Sequence, residues 1–205
     1  MNAAQIELRT NPRIQHGRAV NAVAEYLRNR LSVPNIFIKP KGFPGLSVDV
    51  LAVDHAGAGD LHAVEIKLDP EIEAGFHELR SKSPAGGRKS SARSFDEAAK
   101  ILHEKHLPQK AREFHSELMI LPAHYRYLAI SLEHRDNLFG YFAPLGLYSP
   151  DGIGRIGLIT LSQSGDRLPE VLLEIAPERF RVDPKKVAAI DKVLDKAKPD
   201  MEIRI

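Results

Sequence analysis

The 205-residue chain has no cysteine, which excludes disulfides and thiolate metal centres and leaves carboxylate, imidazole and carbonyl groups as metal ligands. Donors of that kind suit hard cations. The chain also lacks any apolar run approaching the roughly 20 residues a membrane helix requires. Its N-terminus, with Glu7, Arg9 and Arg13 among polar residues, lacks the apolar stretch of a signal peptide. A cytoplasmic location with no membrane partner is the expectation. Excess charge of one sign is missing too. The net charge of +2 is too small to announce nucleic-acid binding from composition alone. Hydrophobic residues at 43% and charged residues at 27% are ordinary for one globular domain that buries a sizeable core.

The basic residues are nevertheless unevenly placed. Between Arg80 and Arg93 stand Arg80, Lys82, Arg88, Lys89 and Arg93 with no acid among them. Pro84, Gly86, Gly87 and the interspersed serines make this stretch a loop suited to lie along phosphates. A solvated loop with no partner is the competing reading, and what decides between them is whether an acidic metal site lies nearby.

Periodicity supplies the order of elements. Val20, Val23, Ala24, Leu27 and Leu31 follow the three-and-four spacing of an amphipathic helix that begins near Ala19 and ends before Pro34. Asn35–Lys39 reads as a strand, stopped by Pro40 and a turn through Gly42, Pro44 and Gly45. Ser47–Lys67 reads as a β-hairpin whose two apolar runs flank the connection Asp54–Asp60. A helix is expected over Glu71–Leu79. Another follows from a capping box at Ser94 and Glu97, with Pro108 breaking or restarting it towards Pro122. Tyr125–Leu132 reads as a fourth strand. Beyond it, Leu138–Tyr148 is aromatic and punctuated by Gly and Pro, Arg155–Leu161 and Glu170–Ile175 read as strands, and Val187–Leu194 as a helix. The expected architecture is one α/β domain over residues 1–205, with residues 133–205 adding strands to the same sheet or forming a small appendage.

The hairpin carries the chemistry. Asp49, Glu65 and Lys67 interrupt its apolar runs, and a charge within a buried strand costs several kcal/mol unless it is paired or binds a metal. Glu65 and Lys67 are two apart and share a face. If Asp54 pairs with Leu61, Asp49 falls opposite Ile66 and points to the other face. Gathering all three then requires an odd-length turn, a bulge or splayed strand ends. Two carboxylates hold Mg²⁺ through oxygen while leaving room for waters and a phosphate oxygen, with the Ile66 backbone carbonyl as a further ligand, and the metal lowers the pKa of a bound water. A nearby ammonium orients that water or offsets charge building on phosphorus. A Glu-x-Lys tripeptide occurs about once by chance in a chain of this length. Its weight comes from position, at the end of an apolar strand and after an Asp in the preceding strand.

Asp49 followed by Glu65-Ile66-Lys67, on the second and third strands of a helix, three strands, helix, strand core, resembles the PD-(D/E)xK nuclease superfamily. The resemblance covers about Ala19–Leu132. Val48 stands where the motif's name places proline. The resemblance implies a restriction-endonuclease-like αβββαβ core, with a mixed central sheet flanked by helices and extra C-terminal strands and a helix. It also implies Mg²⁺-dependent phosphodiester hydrolysis, most often of DNA, with Mn²⁺ able to substitute. Asp49 and Glu65 would be metal ligands and Lys67 the catalytic lysine. Glu25 is a further candidate, because many such nucleases carry an acid on the first helix, although it lies away from the apolar stripe. A homodimer is expected if both strands of a duplex are cut. The alternative from another class is a non-catalytic nucleic-acid- or protein-binding module that keeps the fold.

Two motifs are set aside. Gly152, Gly154 and Gly157 form a Gly-x-Gly-x-x-Gly string that leads into a β-like run rather than a helix, so they read as a turn. His103 and His106 are three apart on a helix but have no evident third ligand.

Overall fold

A computed structural model describes residues 14–54, 59–68, 107–136, 155–163, 165 and 167–202. The helix expected at 71–79, the basic stretch Arg80–Arg93, the capping box at Ser94 with His103 and His106, and the aromatic stretch 138–148 lie outside the described residues. So do Gly152 and Gly154.

Helix α1 spans His16–Arg30 and buries Ala19, Val20, Val23, Ala24 and Leu27, the stripe that a 3.6-residue period places on one face. It leads through Ser32, at φ 56°, into β1, Asn35–Ile38. Strands β2, Val50–Val53, and β3, Leu61–Lys67, form the hairpin. Helix α2, Leu107–Ile120, has Pro108 in its first turn, where a missing N–H breaks no helical bond. Strand β4, Tyr125–Ser131, completes a described order of α1, β1, β2, β3, α2, β4. Strands β5, Gly157–Ser162, and β6, Glu170–Ile175, helix α3, Pro184–Leu194, and the short β7, Met201–Glu202, follow.

The strands form one mixed sheet in the order β6-β5-β4-β3-β2-β1-β7. Strands β3, β4 and β5 run parallel and the other pairs are antiparallel. Alternation along the strands divides the core in two. The apolar stripe of α1 packs with Val50, Ala52, Val64, Ile66 and Ala129. Phe114 and Leu118 of α2 and Ile190 of α3 pack with Leu51, Val53, Leu61, Ala63 and Leu128. The fold is thus a mixed α/β sheet with helices on both faces, and β5, β6 and β7 belong to it.

Helix α3 starts three residues before the expected Val187. Asp183 caps it by accepting from the Lys185 N–H at 2.9 Å, and Pro184 opens it. Strand β7 escapes a pattern reading because it is too short to alternate. It is held instead by Asp200, whose Oδ2 accepts from the Ile38 N–H at 2.7 Å.

A polar network fixes the loop end of the hairpin. His62 bridges Asp54 Oδ1 and the Tyr127 hydroxyl, both at 3.1 Å, and stacks on Tyr125. Arg179 donates to both oxygens of Asp60. The Leu61 N–H donates to His124 Nδ1 at 3.0 Å, which leaves the ring proton on Nε2. Burial pushes the pKa of His62 down against the opposing pull of Asp54, and burial likewise lowers that of His124.

Gly157 packs against this network. A Cβ there would meet the Tyr127 ring at 2.8 Å, Pro177 at 3.0 Å and the Ile175 carbonyl at 3.2 Å. Gly157→Ala is expected to destabilise the protein by about 1–3 kcal/mol through overpacking, read as a lower urea midpoint. The imidazoles set a pH dependence as well. Their folded pKa values lie below the ordinary 6.5, so the unfolded chain takes up protons first, and the stability they contribute is present above about pH 6.5 and lost as pH falls. The urea midpoint should drop between about pH 7 and pH 5, with a smaller drop in His62→Gln; an unchanged slope in that variant would contradict the assignment.

Candidate active site at the carboxyl end of β3

The register of the hairpin follows from the length of its loop, and the position of Asp49 from the bonds it makes just before β2. Val53 lies opposite Leu61 and Val50 opposite Val64, a register one residue away from a pairing of Asp54 with Leu61. Seven residues, Asp54–Asp60, separate the strand ends, and the Asp54 N–H closes the connection on the Asp60 carbonyl at 3.2 Å. This odd length is the correction to the simple register. It ends the regular pairing at Val50 opposite Val64, and Asp49, one residue earlier, stands outside the paired strand. Just before β2, Val48 packs in the same cluster as Leu51, so strict alternation ends at Asp49. Its backbone is pinned on both sides. The Asp49 N–H donates to the Val64 carbonyl at 3.2 Å, and its carbonyl accepts from the Lys39 N–H at 2.8 Å.

The side chains then converge. Asp49 Oδ2 accepts from the Ile66 N–H at 2.9 Å, and Oδ1 stands 3.3 Å from His16 Nε2 at the start of α1. Lys67 Nζ is 3.0 Å from Glu65 Oε1 and lies over the Phe114 ring, 5.2 Å from its centroid, so a cation–π contact with α2 steadies the ammonium. Glu65 and Lys67 are each about one-fifth exposed. Burial raises the pKa of Glu65. Lys67 opposes that rise, whereas the neighbouring charges of Asp49 and Glu117 add to it.

Glu65 and Lys67 open into a cavity of approximately 1050 Å³ between the β1–β2 connection, the end of α2 and the start of α3. Gly42 and Gly45, at φ 81° and 71°, let that connection fold across the sheet end, a conformation that a side chain would strain. Carboxyl ends of parallel strands are where open α/β sheets place their ligands. Glu117, Lys185 and Lys186 reach the same cavity.

Glu65 and Lys67 therefore share the cavity, while Asp49 lies near enough for its charge to act on Glu65 but is not among the residues lining that cavity. The Ile66 N–H points at Asp49, and an extended residue directs its carbonyl to the same edge of the strand as its N–H. Glu25 is not the α1 residue at Asp49. His16 is, nine residues earlier along the helix, a rise of about 13 Å. The signal for His16 was present in the sequence, since it precedes Val20 by four residues and extends the apolar stripe by a turn. Nothing local marks Glu117, because helical spacing alone does not distinguish it from a solvated acid. Arg80, Lys82, Arg88, Lys89 and Arg93 lie outside the described residues.

Among the described residues no group of three or more His, Asp or Glu side chains is placed to hold a metal ion. The donor chemistry nevertheless fits Mg²⁺, which commonly takes one or two carboxylates and completes its shell with water. Burial, with smaller contributions from the charges of Asp49 and Glu117, raises the pKa of Glu65, and a divalent cation beside it would favour its ionised form.

No family model and no curated protein matches the chain. A solved structure of a protein of unknown function from Silicibacter pomeroyi is similar over 88% of this chain and 83% of its own, at 12% identity and a TM-score of 0.45. Function has to be argued from the site.

Because Glu65 titrates above its ordinary range, its stabilising protonated form is lost as pH rises, and at neutral pH its ionised form opposes folding. Glu65→Gln should raise the melting temperature of the metal-free protein. Millimolar Mg²⁺ should raise that of the wild type and leave Glu65→Gln unmoved. An equal Mg²⁺ response in both proteins would show that the cation binds elsewhere.

Proposed function

We propose that the protein is a metal-dependent nuclease of restriction-endonuclease-like fold that hydrolyses phosphodiester bonds in DNA. The observation that carries this reading is the convergence at the end of the hairpin, where Glu65 and Lys67 open into one cavity and the Asp49 carboxylate accepts from the N–H of Ile66 between them. The order α1, β1, β2, β3, α2, β4 supports the same reading. Asp49 and Glu65 would hold Mg²⁺, or Mn²⁺ in its place, with the Ile66 carbonyl as a third oxygen donor. The cation would supply a water of lowered pKa and offset charge on the phosphate. Lys67 orients the attacking water and offsets the negative charge that grows on the phosphoryl oxygens. Water adds across the P–O bond, its oxygen joining phosphorus and a proton reaching the leaving oxygen, to give a phosphate monoester and a hydroxyl. His16 keeps the Asp49 carboxylate in place through its contact with Oδ1. Arg80, Lys82, Arg88, Lys89 and Arg93 hold the DNA backbone. Cytoplasmic location and a homodimer accompany the proposal.

One observation favours a second reading. Both oxygens of Asp49 already have protein partners, His16 and the Ile66 N–H, as they would in a non-catalytic module that keeps the fold to bind nucleic acid or protein.

Incubation with DNA in Mg²⁺ or Mn²⁺ should give cleavage that chelator abolishes. Asp49→Ala, Glu65→Ala and Lys67→Ala should each slow it by at least about 10²-fold, the scale of losing a charged transition-state contact. Cleavage that survives Asp49→Ala and Lys67→Ala would overturn the nuclease reading. Metal-indifferent binding without cleavage would establish the binding module.

A further inference from the structure

The cavity beside Glu65 and Lys67 has two unlike walls. Phe43, Leu46, Leu121 and Pro122 form an apolar side, continued at the rim by Ile120, which is 75% exposed. Its charged groups are Lys67 with its partner Glu65 on the sheet, Glu117 on α2, and Lys185 and Lys186 on the first turn of α3. Both α3 lysines are exposed. The Asp183 side chain already accepts from the Lys185 N–H, so it is the two ammonium groups, and not the helix end, that face an anion.

Uninterrupted duplex suits such a cavity poorly. Its bases face their partners and its phosphates ride outside, so the groups next to a scissile phosphate are polar and charged, and an apolar wall against them removes water without replacing its hydrogen bonds. A single strand presents both kinds of surface at once. Unpaired bases offer apolar faces that pack on hydrophobic side chains, while the backbone tracks a line of cations.

Resting on the nuclease reading, we infer that this cavity takes a single-stranded segment of DNA, with a base against the exposed Ile120 at its rim and phosphates along Lys67, Lys185 and Lys186. The substrate class is then single strands, overhangs and frayed ends, and paired DNA is cut only where its strands have separated.

The test is fluorescence anisotropy in chelator, where no cutting occurs, comparing a short labelled single strand with the blunt duplex of the same sequence at one salt concentration. The single strand should bind at least about tenfold more tightly, within the range that stacking of one or two bases supplies. Lys185→Glu with Lys186→Glu, and separately Ile120→Ser, should each weaken single-strand binding several-fold. Because Ile120 is mostly exposed, its replacement leaves the core intact, and circular dichroism checks this. Equal or tighter binding of duplex, or single-strand binding unchanged in both folded variants, would overturn the inference. A protein that prefers single strands but does not cut in Mg²⁺ would keep this inference and lose the nuclease reading. One that cuts and binds duplex and single strand alike would do the reverse.

Discussion

Where Asp49 points is decided by its own hydrogen bonds just before β2, its N–H donating to the Val64 carbonyl and its Oδ2 accepting from the Ile66 N–H. Side chains alternate along a strand, so one residue more or less between Val53 and Leu61 exchanges the two faces of everything beyond the turn. With seven residues in that connection the regular pairing ends at Val50 opposite Val64, and Asp49 turns its N–H to the Val64 carbonyl and its Oδ1 to His16 of α1. It also accepts from the Ile66 N–H, a donor near the end of the hairpin where β2 has only begun. One contact therefore serves two ends, since the carboxylate that completes the hydrogen bonding of β3 is the one the proposed chemistry needs.

The ends of the connection are tied to distant elements. Asp54 is held by His62, and His62 by Tyr127 of β4, while Asp60 is gripped by Arg179 from the C-terminal part of the chain. Arg179 keeps the pKa of Asp60 low, chiefly through its hydrogen bonds. These contacts resist a slip of register, because a slip would leave buried polar groups without partners. The loop end of β3 thus keeps the geometry of its other end, where Glu65 and Lys67 sit.

At that other end, burial and like charge act together on Glu65. Asp49 and Glu117 raise the cost of its ionisation, and Lys67 lowers it without cancelling the effect of burial. A fold selected for stability alone would gain by replacing such a group. Its presence beside an open cavity is what supports a role in binding a cation. Lys67 is held on a second side by the Phe114 ring, so the ammonium position depends on α2 packing onto the sheet.

Much of this was legible in the sequence, and the division has a physical basis. Helical spacing identified α1, alternation and apolar runs identified β1 to β6, and the charges that interrupt the hairpin singled out Asp49, Glu65 and Lys67. Each of these signals acts over a few residues, as local backbone preference does. Asp183 and Pro184 carried the true start of α3 in the same local code. What only the tertiary structure decided were meetings between residues far apart in the chain: His16 with Asp49, Glu117 near Glu65, Arg179 with Asp60, and Lys185 and Lys186 at the cavity of Lys67. Such meetings depend on how helices seat on the sheet and on the register of its strands. A pattern read along the chain ranks residues by chemistry, and packing selects which of them share a site.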